Sequence, residues 1–146
     1  MSYRVFLGCY TEQNNNTEAI KSEGIYLLNI SDEGKLEGPP QLLDKQVSPS
    51  YFCLTKDHKI LYAVGEPSST KGFIAAYHVH EDGTLTLFSK RDAAGNGLCH
   101  VALDPEERNL LATCYPDATV QVYPLDEDGS ITPFSSSRLR PSCAMM

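Results

Sequence analysis

The chain has 146 residues, 41% of them hydrophobic and 21% charged, with a formal net charge of -7. That balance suits a folded soluble protein and excludes an intrinsically disordered chain. The acidic charge disfavours nucleic acid or an anionic membrane surface as partner, while leaving room for a small anionic substrate in a locally basic pocket.

In chain order, the dominant hydrophobic period is two, the period of β-strands. Tyr3–Cys9 is the first predicted strand, and the polar, Asn-rich run from Glu12 to Lys21 reads as a loop. Gly24–Ile30 is the next strand, followed by an Asp32-Glu33-Gly34 turn. Lys35–Leu43 offers a further strand weakened by Pro39 and Pro40, because proline cannot donate to a sheet ladder. Ser50–Thr55 and Ile60–Gly65 form a pair across Lys56–Lys59. Gly72–Val79 and Thr84–Ser89 are joined at Glu81-Asp82-Gly83. Cys99–Leu103 and Leu110–Cys114 flank Asp104–Glu107, and Thr119–Leu125 and Ser130–Phe134 flank Asp128-Gly129. Asp-Gly between alternating runs is a strong hairpin signal. No amphipathic helix is predicted.

The segments repeat. YFCLTKDHKILYAV from Tyr51 aligns without a gap on HVALDPEERNLLAT from His100, an offset of 49. A second element occurs three times, as IYLLNISDEGKL from Ile25, IAAYHVHEDGTL from Ile74 and VQVYPLDEDGSI from Val120. A period near 48 residues with about four short strands is the size of a β-propeller blade. The expected fold class is therefore all-β, with about three four-stranded antiparallel blades across residues 1–135 and an irregular tail over 136–146. Seven blades need roughly 340 residues at this period. A compact β-sandwich is the competing architecture, and the long repeat is not a feature of sandwiches.

No basic leader or long apolar segment opens the chain, so a cytoplasmic location is expected. The Asn15 and Asn29 glycosylation triplets read as chance matches in that setting. The five cysteines are widely spaced and lack a CxxC pair, which favours free thiols over a structural metal site. Walker, GxGxxG, GxSxG and HExxH motifs are absent.

Several short motifs, in order, resemble the lactonase family of seven-bladed propellers. Leu7-Gly8-Cys9-Tyr10-Thr11 looks like the family's first strand. Ser48-Pro49-Ser50-Tyr51 resembles its Asn-Pro-Ser-Tyr segment, and Leu61–Glu66 its Leu-Tyr-Ala-Val-Asn-Glu strand end. Cys99-His100-Val101, the strand ending in Cys114-Tyr115, and Val120–Gly129 continue the match, which covers residues 3 to 135. The resemblance implies a lactone as small-molecule substrate, most naturally 6-phosphogluconolactone of the pentose phosphate pathway, opened in a central channel without an organic cofactor or metal. A carboxymuconate lactonizing activity, or a non-catalytic propeller scaffold, is the alternative. The family's catalytic His and its Arg and Glu partners come from later blades. This sequence departs from the pattern after Ser135, so the resemblance implies an inactive fragment of a longer enzyme.

Within this chain the candidate residues are few. His100 opens a strand unit and is a candidate base; Glu66 ends a strand and is a candidate carboxylate partner. Tyr10, Tyr51 and Tyr115 are candidate substrate-lining residues, with Tyr115 placed 49 positions after Glu66. Each also has an ordinary structural reading: a hydrogen-bonding edge histidine, a solvated glutamate, packed tyrosines. His58 in a charged turn, and His78 and His80 on one strand face, read as surface residues rather than metal ligands. Arg138 and Arg140 sit in the tail as weaker substrate-binding candidates. Uncovered blades leave self-association open as a further property.

Overall fold

A computed structural model describes residues 2–12, 22–68 and 71–139, with side chains placed through Ser135. It contains eleven strands among the described residues, in three antiparallel sheets. The first sheet is β1 (Ser2–Gly8), β2 (Gly24–Ser31) and β3 (Gln41–Lys45). The second is β4 (Pro49–Leu54), β5 (Ile60–Gly65), β6 (Phe73–Val79) and β7 (Leu85–Asp92). The third is β8 (Leu98–Leu103), β9 (Asn109–Cys114), β10 (Thr119–Pro124) and β11 (Ser135–Leu139). Each sheet is a meander of sequential strands, and the three are blades 1, 2 and 3 below.

The strand registers superimpose the repeats. Ile25 pairs with Gly8, Ile74 with Val64 and Val120 with Thr113, so β1, β5 and β9 occupy the same position in their blades. Blade 1 thus presents the second, third and fourth strands of the unit, and β1 pairs only with β2 among the described residues. The expectation of four strands per blade holds for blades 2 and 3.

Two strand predictions shift. Lys35–Leu43 is not one strand: Leu36 makes a single bridge to Ile30, and the ladder resumes at Gln41, past the two prolines that cannot donate to it. Ile131 bridges to Leu125, and the fourth strand of blade 3 lies later, at Ser135–Leu139, where the sequence suggested an irregular tail. Hydroxyl-rich Ser135-Ser136-Ser137 carries no apolar alternation, yet the edge of β10 supplies partners for its backbone.

The blades stack face to face through two apolar layers. Between blades 1 and 2 lie Ile25, Leu61, Ala63, Phe73, Ala75 and Tyr77, with Phe6 and Phe52 packed against them. Between blades 2 and 3 lie Tyr62, Val64, Ile74, Ala76, Leu98, Val101, Leu110, Ala112 and Tyr123. Blade 2 is covered on both sides. Its strands ILYAVG and FIAAYHV are buried almost throughout instead of alternating. β9, covered on one side, alternates between half-buried and buried.

Turns lock the stack. Gly83 and Gly129 have φ of +86° and +84°, in the left-handed region that hairpin turns require of glycine. Each turn also presses on the preceding blade. A Cβ at Gly83 would lie 2.9 Å from Leu27 Cδ2, and one at Gly129 2.4 Å from Ile60 Cδ1. The Arg4 guanidinium donates to the Glu81 carbonyl, and the Tyr62 hydroxyl donates to the Gly129 carbonyl at 2.9 Å. Further along the same end, Lys56 N–H donates to Glu107 Oε1 at 2.6 Å.

Gly34 has the same backbone, φ +77°, but nothing stands within 4 Å of a Cβ there. Gly34→Ala should therefore cost only the left-handed backbone term, about 1–2 kcal/mol. Gly129→Ala should cost about 1–3 kcal/mol more, because the added methyl overpacks Ile60 and Tyr62. Urea unfolding of the two variants measures the difference; equal losses would show that the turn does not bear on the neighbouring blade.

Candidate functional site

The five predicted site residues gather at one end of the stack. Pro49 pairs with Gly65, so the start of β4 and the end of β5 meet, bringing Tyr51 and Glu66 to that end of blade 2. Leu98 pairs with Cys114, which does the same for His100 and Tyr115 in blade 3. Blade 1 joins through Tyr10, whose hydroxyl donates to Glu66 Oε2 at 3.0 Å.

Their placement follows the repeat. In the superimposed registers Tyr10, Glu66 and Tyr115 are equivalent, each the second residue after the one paired with Ile25, Ile74 or Val120. Tyr51 pairs with Val64 and His100 with Thr113, so these two are equivalent as well. Each strand start carries a β-bulge, at Ser50 and at Cys99, and the bulge re-aims the side chain that follows it. The Tyr51 and His100 rings meet across the junction of blades 2 and 3, with centroids 4.2 Å apart and planes tilted by 43°. Equivalent positions on successive blades thus touch: Tyr10 with Glu66, and Tyr51 with His100.

Backbone contacts hold this end together. Glu66 N–H donates to the Ser48 carbonyl at 3.0 Å. Ser48 N–H donates to Thr11 Oγ1 at 3.0 Å, and Thr11 N–H returns a bond to Ser48 Oγ at 3.3 Å. Ser48 is buried and adopts φ +40°, so its left-handed turn delivers the chain into Pro49 with both polar groups satisfied. The sequence marks Ser48 and Thr11 as members of two motifs and not as site residues. Ser48 precedes a proline, which marks a turn, but its partner lies 37 residues away.

Burial first, and then the hydrogen bond and negative charge of Glu66, hold the Tyr10 phenol above its ordinary range, with a smaller contribution from Cys99. Cys99, which the sequence marks as a free thiol and not as a site residue, is thus a further neighbour of Tyr10. Tyr10 is 49% exposed, and the Tyr115 ring stands 82% exposed while its backbone bonds Gly97 and Ala118. The structure therefore joins four candidates in two contacting pairs, and leaves the Tyr115 side chain at the rim.

The remaining candidates lie elsewhere. His78 stacks on Phe88 with centroids 4.0 Å apart, His80 bonds Thr86 at 2.7 Å, and His58 occupies a turn at φ +59°. Between the two exposed histidines Val79 packs inward, as the alternation predicts. No group of three His, Cys, Asp or Glu is placed to hold a metal among the described residues. Cys9, Cys53, Cys99 and Cys114 are free thiols, and burial pushes Cys53 up to about 12, which rules it out as a thiolate nucleophile. Arg138 lies on β11, and Arg140 and Cys143 fall outside the described residues. A separate cleft of about 790 Å³ lies between blades 1 and 2, bounded by Arg4, Phe52, Leu54 and His58; its turn residues place it at the opposite end.

The family described as "Lactonase, 7-bladed beta-propeller" matches residues 4–140. The chain belongs to this lactonase propeller family. A 6-phosphogluconolactonase of Bacillus subtilis strain 168 is 32% identical over 130 residues, 88% of this chain and 35% of that protein. A 6-phosphogluconolactonase of Formosa agariphila is 28% identical over 132 residues, 87% of this chain and 35% of the relative. The solved structure of the periplasmic gluconolactonase of Pseudomonas aeruginosa matches 93% of this chain and 38% of its own with a TM-score of 0.81; at 24% identity it bears on the fold. The chain spans about a third of the length of these lactonase relatives. Among the described residues no helix is long and apolar enough to cross a membrane.

The contact between Tyr10 and Glu66 gives a direct measurement. Glu66→Gln removes the charge that opposes ionisation of Tyr10, so the Tyr10 phenol should titrate at lower pH in that variant. NMR of ring-labelled tyrosine, with Tyr10→Phe to assign the signal, reads the shift. An unmoved titration would show that the Tyr10–Glu66 contact does not persist in solution.

Proposed function

We propose that these three blades form one wall of a lactone-opening site, and that the site is completed by further blades of a longer protein. The contact of Tyr51 with His100 carries the reading. It places an imidazole at the start of a first strand, at the same end as the Tyr10–Glu66 pair, on a rim whose positions recur from blade to blade.

Opening a lactone requires water to add to the ester carbonyl. The tetrahedral oxyanion then collapses, the acyl–oxygen bond breaks, and a carboxylate, a free hydroxyl and a proton result. An imidazole is suited to take the proton of the attacking water near neutral pH, and His100 fills that role in this reading. Glu66, bonded to Tyr10, fixes the phenol and supplies negative charge beside the rim. Tyr10, Tyr51 and Tyr115 present phenolic edges to the hydroxyls of a sugar ring. No organic cofactor or metal is needed for this chemistry.

The names of the curated relatives point to 6-phosphogluconolactone as the substrate. A phosphate monoester demands fixed positive charge, usually from arginine or lysine. The five rim residues are a carboxylate, an imidazole and three phenols, so the phosphate clamp belongs to another part of the ring. That division supports an isolated chain without turnover, and the use of a phosphosugar supports a cytoplasmic setting.

The test is hydrolysis of 6-phosphogluconolactone followed against the uncatalysed rate. The 146-residue chain alone should match background. In a longer chain carrying these blades, His100→Ala should lower kcat/KM by about 10²–10⁴-fold, the usual contribution of a general base. Turnover by the isolated chain would overturn the shared-site reading, and an unaffected His100→Ala variant would remove His100 from the chemistry.

A further inference from the structure

At the rim, the two junctions within the chain share one backbone contact and differ in another. Ser48 and Gly97 are equivalent in the superimposed registers, each the residue before a first strand. Both have a left-handed backbone, φ +40° at Ser48 and +62° at Gly97. Both carbonyls accept the N–H of the residue that follows the second strand of the same blade. Glu66 donates to Ser48 at 3.0 Å, and Tyr115 donates to Gly97 at 3.0 Å.

The difference lies in what reaches back to the preceding blade. The Ser48 N–H donates to Thr11 Oγ1 at 3.0 Å, and the Thr11 N–H donates to Ser48 Oγ at 3.3 Å. The equivalent of Thr11 in blade 2 is Pro67, which has neither an N–H nor a hydroxyl. Gly97 has no side chain, so this reciprocal pair belongs to the first junction alone. The rim side chains divide in the same way. Tyr10, next to Thr11, donates to Glu66 Oε2 at 3.0 Å. The corresponding pair at the second junction is Glu66 with Tyr115, and there the bonds of Tyr115 are backbone bonds to Gly97 and Ala118. Among the described residues, contact between these positions forms where the Ser48–Thr11 link is present.

Ser48 occupies its position at a cost. A left-handed backbone disfavours any residue with a Cβ, and glycine would meet the turn and the carbonyl bond without strain. What serine adds is a buried hydroxyl, and its partner is the Thr11 N–H. A strained residue with a specific partner is a pointer to function. The bonds close a ring across the junction. The Tyr10 hydroxyl meets the Glu66 carboxylate, the Glu66 N–H meets the Ser48 carbonyl, Ser48 meets Thr11, and a peptide bond returns to Tyr10. On its other flank, Tyr10 is held by Ser22 Oγ, which donates to the Tyr10 carbonyl at 2.7 Å. With both backbones fixed relative to each other, the phenol meets the carboxylate at a smaller loss of conformational entropy.

We propose that Ser48 and Thr11 are positioning residues of the rim, and that their reciprocal bond sets blades 1 and 2 at the separation where Tyr10 meets Glu66. Their part in turnover rests on the lactone-opening reading of this rim; the linkage itself rests on the bonds above.

Ser48→Gly tests the linkage. Glycine accepts the left-handed backbone and keeps the N–H and the carbonyl, so the hydroxyl alone is lost. Thr11→Val removes the other half of the pair, and Thr11→Ser restores it. The readout is the titration of the ring-labelled Tyr10 signal by NMR. Tyr10 should titrate at lower pH in Ser48→Gly and in Thr11→Val, the direction expected of Glu66→Gln, and as in the unmodified chain in Thr11→Ser. In a Glu66→Gln background, Ser48→Gly should add no further shift, whereas a general loosening of the fold would add one. An unmoved titration in both variants, or equal shifts with and without Glu66, would overturn the proposal. In a longer chain carrying these blades, Thr11→Val should lower kcat/KM for 6-phosphogluconolactone by up to about 10²-fold. That loss should vanish when Tyr10 is already replaced by Phe; additive losses would remove Thr11 from the positioning of Tyr10. A longer chain without any turnover would sink the lactone-opening reading, and the titration would still decide the linkage.

Discussion

A sheet of three or four short strands has two faces and cannot cover either by itself. Everything in this molecule follows from that constraint. Blade 2 resolves it, with a neighbour on each side, and its strands are buried nearly throughout. Blades 1 and 3 resolve it on one side each. The sequence does not distinguish the cases: Val120 and Val122 are as apolar as Ile74 and Ala76, although only the second pair is fully buried. Each apolar side chain taken fully out of water contributes about 1.5–3 kcal/mol, so the inter-blade layers are the main stabilising term. Hydrogen bonds within a blade mostly exchange for bonds to water and contribute less.

The same stacking makes the site. Neither Glu66 nor His100 finds its partner inside its own blade. Tyr10 reaches Glu66 across the first junction and Tyr51 reaches His100 across the second. Equivalent positions on adjacent blades converge because the first strand begins and the second strand ends at the same end of each stacked sheet. A rim built this way has no single owner. Its chemistry depends on which residue types occupy one structural position in successive blades, and substitution at that position changes function with little effect on the packed layers behind it.

Much of this was legible before the fold was seen. Asp-Gly turns and the 49-residue offset gave the repeat, and the repeat gave the blades, because turn chemistry and hydrophobic period are local properties. The link between Glu66 and Tyr115 was visible as a spacing. Its extension to Tyr10 was not, since the loop between β1 and β2 is longer than its counterparts and breaks the offset; only the ladder between Gly8 and Ile25 restores it. The pairing of Ser48 with Thr11 escaped for a similar reason: each N–H donates to the other's hydroxyl across 37 residues, a separation that no local pattern reports. The fourth strand of blade 3 was misplaced because its pairing is backbone-driven and its Ser-rich sequence carries no alternation.

Glycine shows how far function and architecture can be separated in such a chain. Gly34, Gly83 and Gly129 share a left-handed conformation, and turn geometry alone accounts for the residue type at all three. At Gly83 and Gly129 a second constraint is added, the close approach of the preceding blade, and a turn carbonyl is capped there by Arg4 or Tyr62. Donor and acceptor positions both differ, Arg4 on the Glu81 carbonyl and Tyr62 on that of Gly129, so what the two junctions share is a small turn seated on the preceding blade. A repeat protein can therefore change its rim blade by blade, as Tyr10, Glu66 and Tyr115 illustrate, while the turns at the opposite end preserve the stacking angle on which convergence of the rim depends.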